Sequence, residues 1–478
     1  MNYRMIFYIL GWVLNIEAAA MLLPLICAVI YGDSGSAALI YSILICLAIG
    51  VPLTFKSPAN KTMYAKEGFI TVALSWITLS VFGCLPFIIS GSIPGFFNAL
   101  FETVSGFTTT GASILTDVEA MPKSLLFWRS FTHWLGGMGV LVFLVSLLPL
   151  SGGHNLHLIR AESTGPAVTK LVPKVKTTAE ILYAIYLGLT ILETVFLLCG
   201  GMSLFEALTT AFGTAGTGGF GIKNDSIASY SPYIQIVVTV FMILFGVNFS
   251  LYYLLLCGKI KSVLKSEELR TYIGIIIVAI TVISFNCYHL FESVGETLRH
   301  SAFQVGSIIT TTGFMSNDFD KWPEFSKSIL VLLMFIGACA GSTGGGIKIS
   351  RILVLLKSIV KEVKLSAQPG LTKKITVDGR LVEHDTVRSI NVFIASYLVI
   401  LVVSVLLISV DNFDFTTNVT AVISAINNIG PGLSGVGPTQ NFAAYSAFSK
   451  VILSLNMLIG RLEIFPVLIL FSPFTWKK

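Results

Sequence analysis

The chain is 478 residues long, 54% hydrophobic and only 12% charged, with a mean hydropathy of +0.83. Soluble domains carry roughly 25% charged residues, so this chain cannot cover a water-facing surface, and the soluble-enzyme classes are excluded. The formal net charge of +6 is no sign of a nucleic-acid ligand, because the basic residues are sorted into particular loops.

A spanning helix needs roughly 20 largely apolar residues. In chain order, such windows run Met5–Tyr31, Ala37–Phe55, Phe69–Ser90, Leu125–Leu150, Ile181–Cys199, Tyr233–Cys257, Tyr272–Leu290, Ile329–Gly341, Val392–Val410 and Val451–Phe471. The Ile329 window resumes after Gly341–Gly346 as a second apolar run, Ile347–Val360, so the pattern predicts about ten spans, one of them interrupted. Met1–Ile30 reads as the first span and not as a secretory signal, because its apolar run is too long. The segments Lys56–Glu67, Ser151–Thr178, Gly258–Arg270 and Lys348–Arg388 hold 20 Lys/Arg against 8 Asp/Glu, and the alternate loops are acidic. Cytoplasmic loops collect Lys and Arg. The basic set and both termini are therefore expected inside. Seven cysteines fall in apolar windows without a CxxC pair, which reads as helix packing rather than disulfides or metal ligation.

Between the spans one pattern recurs four times: a short amphipathic stretch, a Thr/Gly-rich knot and a polar or acidic patch. The copies are Phe97–Ser113, Met202–Gly221, Gly295–Met315 and Phe415–Leu433. The first two share Leu-Phe-Glu at Leu100–Glu102 and Leu204–Glu206; the first and third share Thr-Thr-Thr-Gly at Thr108–Gly111 and Thr310–Gly313. About 12 helical residues span about 18 Å, half of a roughly 30 Å hydrocarbon core. A helix ending there leaves bare carbonyls, tolerable only where they line a water-filled cavity. Its C-terminal dipole favours a cation, and a ring of carbonyls can replace the water of a monovalent ion. The acidic patches (Asp117 and Glu119; Asp225; Asp318 and Asp320) fit one extracytoplasmic side. The expected fold is all-α and polytopic: four parallel span–pore-helix–span repeats in pseudo-four-fold arrangement around one pore, preceded by a two-helix hairpin. Its expected limits are 1–67 for the hairpin and 68–150, 151–257, 258–364 and 365–478 for the repeats.

With TTTGAS, GTGGF, TTTGF and NIGPGL in these places, the chain resembles the Trk/Ktr/HKT superfamily of potassium transporters. GSTGGGIK (Gly341–Lys348) and GRLEIFPVLILF (Gly460–Phe471) resemble that family's third- and fourth-repeat inner helices, and the amino-terminal pair of spans points to the Trk branch. The resemblance implies potassium as the transported ion and a filter of Thr109, Thr110 and Gly111; Gly219, with Gly218 as the alternative register; Thr311, Thr312 and Gly313; and Asn428, Ile429 and Gly430. In the plant branch a serine in place of the first glycine goes with sodium passage, so Gly111 favours potassium. The implied gate is Gly341, Ser342, Thr343, Gly344, Gly345 and Gly346 with Arg461. Each Gly weakens a helix by about 1 kcal/mol, and an Arg inside a span faces a cavity or a partner; Glu463, two residues on, would point elsewhere on the helix. The resemblance also implies a homodimer in the bacterial inner membrane, in contact with the lipid bilayer and governed by a cytoplasmic TrkA-type nucleotide-binding subunit.

Other readings are weaker. Gly216–Gly221 spells GxGxxG but is preceded by a helix-like stretch and followed by Ile222-Lys-Asn-Asp-Ser, not by the strand and helix of a dinucleotide site. In Gly341–Lys348, Ile347 breaks the adjacency a phosphate loop needs. No nucleophile–base pair or metal-spaced cluster stands out, so neither an enzyme nor an organic cofactor is expected. Glu102 and Glu206 read either as cation attractors or as acceptors for amides behind the filter. Glu17 and Glu193 are mid-span carboxylates; they are the only proton-coupling candidates for the alternative, a secondary transporter coupling Na⁺ or H⁺ to K⁺ uptake.

Overall fold

The computed structural model describes residues 1–60, 63–147, 175–368 and 374–476. The first span is α1 (Tyr3–Ala20) running into α2 (Leu22–Tyr31), and α3 (Gly35–Thr54) folds back against α1. That packing needs glycine: a Cβ at Gly11 would stand 2.6 Å from Leu53 Cβ and one at Gly50 2.4 Å from Asn15 Oδ1.

After this pair the chain repeats one order. A long helix, α4 (Ala65–Gly83) with its extension α5 (Leu85–Ile89), precedes the short α6 (Phe96–Phe107) and then α7 (Lys123–Leu147). Next come α8 (Val175–Cys199), the short α9 (Leu204–Ala215), and α10 (Pro232–Phe245) with α11 (Phe249–Leu256). A small helix, α12 (Ile260–Lys265), leads to α13 (Glu267–Cys287), the 16-residue α14 (Val294–Ile309), α15 (Glu324–Ile336) and α16 (Ile349–Ala367). A two-stranded hairpin, β1 (Thr376–Val377) and β2 (Arg380–Leu381), leads to α17 (His384–Ile408), the short α18 (Phe415–Asn427), α19 (Ala447–Arg461), α20 (Phe465–Phe471) and α21 (Pro473–Trp476). Six described helical stretches are long and apolar enough to cross a membrane, and a seventh would be the bent pair α10 and α11. The molecule is a polytopic, helical membrane protein.

The short helices α6, α9 and α18 are 12, 12 and 13 residues long. Each short helix packs between the helix that follows it and the corresponding helix of the preceding unit: α6 between α7 and α19, α9 between α10 and α7, α14 between α15 and α10, α18 between α19 and α15. That contact order is cyclic.

The chain breaks where one interruption was expected and in two further places. The first lies between α15 and α16, and it opens at Gly337, four residues before Gly341, because Gly337 and Gly346 pack backbone to backbone; a Cβ on Gly346 would stand 2.8 Å from Gly337 Cα. The second lies between α10 and α11, bent by 91°. There Asn248 caps α11 by accepting from the Ser250 amide at 2.9 Å, and the Gly246 carbonyl is taken by the Cys339 amide at 3.1 Å. The third lies between α19 and α20, where Glu463 (φ +59°) and Ile464 (φ +69°) are both left-handed and the Phe465 amide bonds the Glu463 carbonyl at 2.8 Å. That is a γ-turn of the rare kind at a β-branched residue, and strain of this sort persists only where surrounding contacts hold it. Glu463 therefore lies in a turn and not on the helix.

Candidate functional site

All four short helices end in the same backbone motif. Thr109, Thr217, Thr311 and Asn428 have φ values of +55°, +54°, +59° and +55°. In each case the next amide reaches five residues back to a carbonyl of the last helical turn: Thr110 to Ser105, Gly218 to Gly213, Thr312 to Ser307, Ile429 to Ser424, at 2.8–3.0 Å. This is the Schellman end, usually made by glycine. A β-branched Thr at positive φ is an outlier; only Asn428 is a residue that tolerates the conformation.

Two residues further on, Gly111, Gly219, Gly313 and Gly430 have φ of +83°, +74°, +83° and +102°. The chain thus turns at Gly219 and not at Gly218, which settles the position equivalent to Gly111. A Cβ on Gly111 would stand 2.0 Å from Gly218 O; on Gly219, 2.1 Å from Thr312 O; on Gly313, 2.0 Å from Ile429 O; on Gly430, 2.9 Å from Thr110 O. Each glycine abuts the carbonyl preceding the next segment's glycine, and the fourth closes on the first. The sequence-picked residues Thr109–Gly111, Gly218–Gly219, Thr311–Gly313 and Asn428–Gly430 therefore meet in one closed ring of backbone. Asn428 Nδ2 also donates to Thr110 Oγ1 at 2.9 Å, fastening the fourth segment to the first.

Outside the ring the polar patches join in the same cyclic order. Asn224 donates to Asp117 Oδ1 at 2.9 Å and accepts from the Val118 amide at 2.7 Å. The Ile227 amide donates to Met315 O at 3.0 Å, Ser434 N to Asp320 Oδ1 at 3.1 Å and Phe442 N to Ser113 O at 2.8 Å. The Asn224 amide holds the Asp117 carboxyl below the usual carboxylate range.

The Leu-Phe-Glu strings are not equivalent. Glu102 lies nine residues before its ring glycine and Glu206 thirteen before Gly219, one helical turn apart. Glu206 caps the start of α9 with Ser203. Glu102 is buried behind the ring, accepting from Ser113 Oγ and the Ile114 amide at 2.9 Å and from Arg129 Nε at 2.7 Å. Arg129 also donates to Gly221 O at 2.9 Å and lies 3.5 Å from the centre of the Phe220 ring. Sequence reading passed over Arg129, although a charge inside the Leu125–Leu150 window marks a candidate. It also passed over His133, whose Nδ1 lies 2.7 Å from Gly106 O and whose ring fills the space a Cβ on Gly218 would need.

Below the ring lies the loop between α15 and α16. A Cβ on Gly344 would stand 2.9 Å from Thr310 O and one on Gly345 2.3 Å from Asn427 O, so only glycine lets the loop touch two helix ends. Gly345 N donates to Thr311 Oγ1 at 2.6 Å, and Ala340 N to Glu268 Oε1 at 2.7 Å. The Phe249 amide donates to Gly341 O at 3.0 Å, Ser342 Oγ to Cys339 O at 2.6 Å, and Lys348 Nζ to Gly344 O. Gly346 has φ +77°. Arg461, at the end of α19, donates to Thr343 O at 2.8 Å and to Gly136 O at 2.7 Å. Glu463, expected to point away, pairs with Arg351 of α16. A charged network thus links loop, α16 and the break after α19, and only Arg461 of it was picked out from sequence. Glu17 and Glu193 are both buried; Glu17 in α1 faces Gly83 of α4, beside Thr103 and Phe107 of α6, and Glu193 in α8 lies beside Thr214 of α9.

The profile of the TrkH family, described as cation transport protein, matches residues 35–478. The chain is 36% identical to the Trk system potassium uptake protein TrkH of Salmonella typhimurium and 35% identical to that of Escherichia coli K12, each over the whole length of both chains. Its structure superposes on the crystal structure of the potassium transporter TrkH from Vibrio parahaemolyticus with a TM-score of 0.90 at 32% identity, covering all of both chains. With its ring of four backbone segments and its glycine loop, the chain belongs to the TrkH family of cation transport proteins.

Proposed function

We propose that the chain is the potassium-permeating membrane subunit of a Trk-type uptake system. In this reading four parallel repeats, with the limits expected from sequence, surround one pore and the N-terminal pair packs outside them. The observation that carries it is the closed ring, in which four glycines each lie against the next segment's carbonyl. Four helix C-termini aim their negative dipole ends at that ring, and the carbonyls of Thr110, Gly218, Thr312 and Ile429 replace the water of a desolvated K⁺. Gly111, Gly219, Gly313 and Gly430 form the filter. The loop Gly341–Gly346 is the gate, held closed by Arg461, whose charge opposes resting cation leak. The membrane potential, worth about 2.3 kcal/mol per charge per 100 mV, draws K⁺ inward.

The relatives are named for a Trk system; we further propose a homodimer in the bacterial inner membrane, with its termini in the cytoplasm and a TrkA-type nucleotide-binding subunit docked on the basic loops. The test is K⁺ uptake in a host lacking its own K⁺ transporters. Growth at low external K⁺ should follow expression of the chain, and failure of a well-expressed chain to restore it would overturn the reading.

A further inference from the structure

The four ring segments are not built alike. Before the ring glycines stand Thr110, Gly218, Thr312 and Ile429, and two residues before these Thr108, Gly216, Thr310 and Asn427. In the first and third segments the two threonines brace each other, Thr108 Oγ1 with Thr110 Oγ1 and Thr310 Oγ1 with Thr312 Oγ1, each at 2.8 Å. In the fourth, Ile429 is fully buried and Asn427 donates to the Tyr397 hydroxyl at 2.8 Å. The second segment has glycine at both positions and can make neither kind of brace. Glycine also leaves the backbone freer than any other residue, and three of the four residues Gly216–Gly219 are glycine.

One residue of α7 fills both gaps. A Cβ on Gly216 would stand 2.3 Å from His133 O, and one on Gly218 2.4 Å from Cγ and from Nδ1 of the His133 ring. One turn further along α7, a Cβ on Gly137 would stand 2.7 Å from Gly216 Cα, so the helix lies directly on this segment. His133 is fully buried. Its Nδ1 lies 2.7 Å from Gly106 O, an atom that only accepts, so Nδ1 carries the hydrogen and donates to the end of α6. The ring also packs on Phe220, the residue after Gly219, with centroids 4.1 Å apart. The imidazole is thus fixed from two sides, by the first segment's helix and by the second segment's exit.

We propose that His133 is the positioning residue of the second ring segment, its imidazole standing where the first and third segments have a threonine side chain and so holding the Gly218 carbonyl in the ring. The proposal rests on reading the ring as the filter. Selectivity in a carbonyl ring depends on the size it holds and on the number and field of the dipoles it presents. A slack second segment degrades both, so selectivity falls before flux does.

Reversal potentials of the purified chain in planar bilayers, with K⁺ on one side and Na⁺ on the other, test this together with thermal midpoints in detergent. His133→Ala should lower the K⁺ over Na⁺ permeability ratio by about tenfold while still passing current. Gly218→Ala should lower the K⁺ current, because its methyl meets the imidazole. In the double variant His133→Ala/Gly218→Ala that methyl enters the vacated space. Its ratio should stand at least about threefold above that of His133→Ala, and its thermal midpoint above that of either single variant, as coupled neighbours do. A histidine that merely stabilised α7 would show no such recovery. An unchanged ratio in His133→Ala, or a double variant showing the sum of the two single losses, overturns the proposal. Should His133→Ala fail to fold, the midpoint decides: a folded double variant supports the proposal and an unfolded one overturns it. A parent chain without K⁺ over Na⁺ preference would overturn the filter reading itself and this proposal with it, whereas a selective parent with an equally selective His133→Ala overturns this proposal alone.

Discussion

The Gly345 amide donates to Thr311 Oγ1 at 2.6 Å. The residue whose left-handed backbone starts the third ring segment therefore also suspends the loop beneath the ring. Ring and loop are coupled through one side chain, and strain at Thr311 (φ +59°) is offset by a bond that glycine at this position could not make.

Replacing that acceptor should loosen the loop without altering the ring's shape. A buried amide left unpaired costs about 1–3 kcal/mol. Thr311→Val is expected to raise basal rubidium uptake in vesicles several-fold, and Thr311→Ser, which keeps the hydroxyl, should not.

The ring has no room for a methyl group. A Cβ at Gly313 would stand 2.0 Å from Ile429 O at a φ unsuited to alanine, whereas Gly274 of α13 has nothing within 4 Å. Gly313→Ala should lower K⁺ uptake by at least about tenfold, a barrier rise of about 1.4 kcal/mol or more. Gly274→Ala should leave it unchanged, as read in the same transport-deficient host.

Glu102 and Arg129 are both buried, at 2.7 Å. Removing one member of a buried pair costs about 3–5 kcal/mol, while replacing both by apolar residues is often neutral. Glu102→Ala should therefore lower the thermal midpoint of the detergent-purified protein clearly. The double variant Glu102→Leu/Arg129→Met should recover much of the stability. It should not recover K⁺ over Na⁺ preference, because the Ile114 amide and Gly221 carbonyl behind the ring lose their partners.

Arg461 joins Thr343 O to Gly136 O, tying the loop to α7. Charged hydrogen bonds contribute about 1.5–3 kcal/mol each. Arg461→Ala should raise basal K⁺ flux about tenfold or more. Arg461→Lys should fall between, since an ammonium lacks the planar fork that reaches two carbonyls at once. Flux assays on proteoliposomes without any added regulator measure both.

The architecture was legible because membrane helices announce themselves by length and hydropathy, and the four knots by Thr/Gly composition. Four things were not legible. The second segment's register was ambiguous between Gly218 and Gly219 because the matching Leu-Phe-Glu strings are offset by one turn, Glu102 serving the ring and Glu206 a helix start. The break at Glu463–Ile464 has no local signal: a β-branched residue is among the least suited to positive φ, and contacts of the Arg351–Glu463 kind are long-range. The break at Gly246–Asn248 leaves only a Gly and an Asn in an otherwise continuous apolar window, and its purpose is visible only once Cys339 is seen bonding Gly246 O. Arg129 was overlooked for the same reason: its partner Glu102 lies 27 residues away, on another helix.

The central claim is that the four-segment ring is a K⁺-selective conduit. Single-molecule current recording on the purified chain in a planar bilayer, with K⁺ on one side and Na⁺ on the other, tests it most directly. Unitary currents that reverse toward the K⁺ equilibrium potential are expected, and Gly313→Ala should abolish them. Potassium movement without unitary currents, in fixed ratio to a counter-ion, would contradict the account.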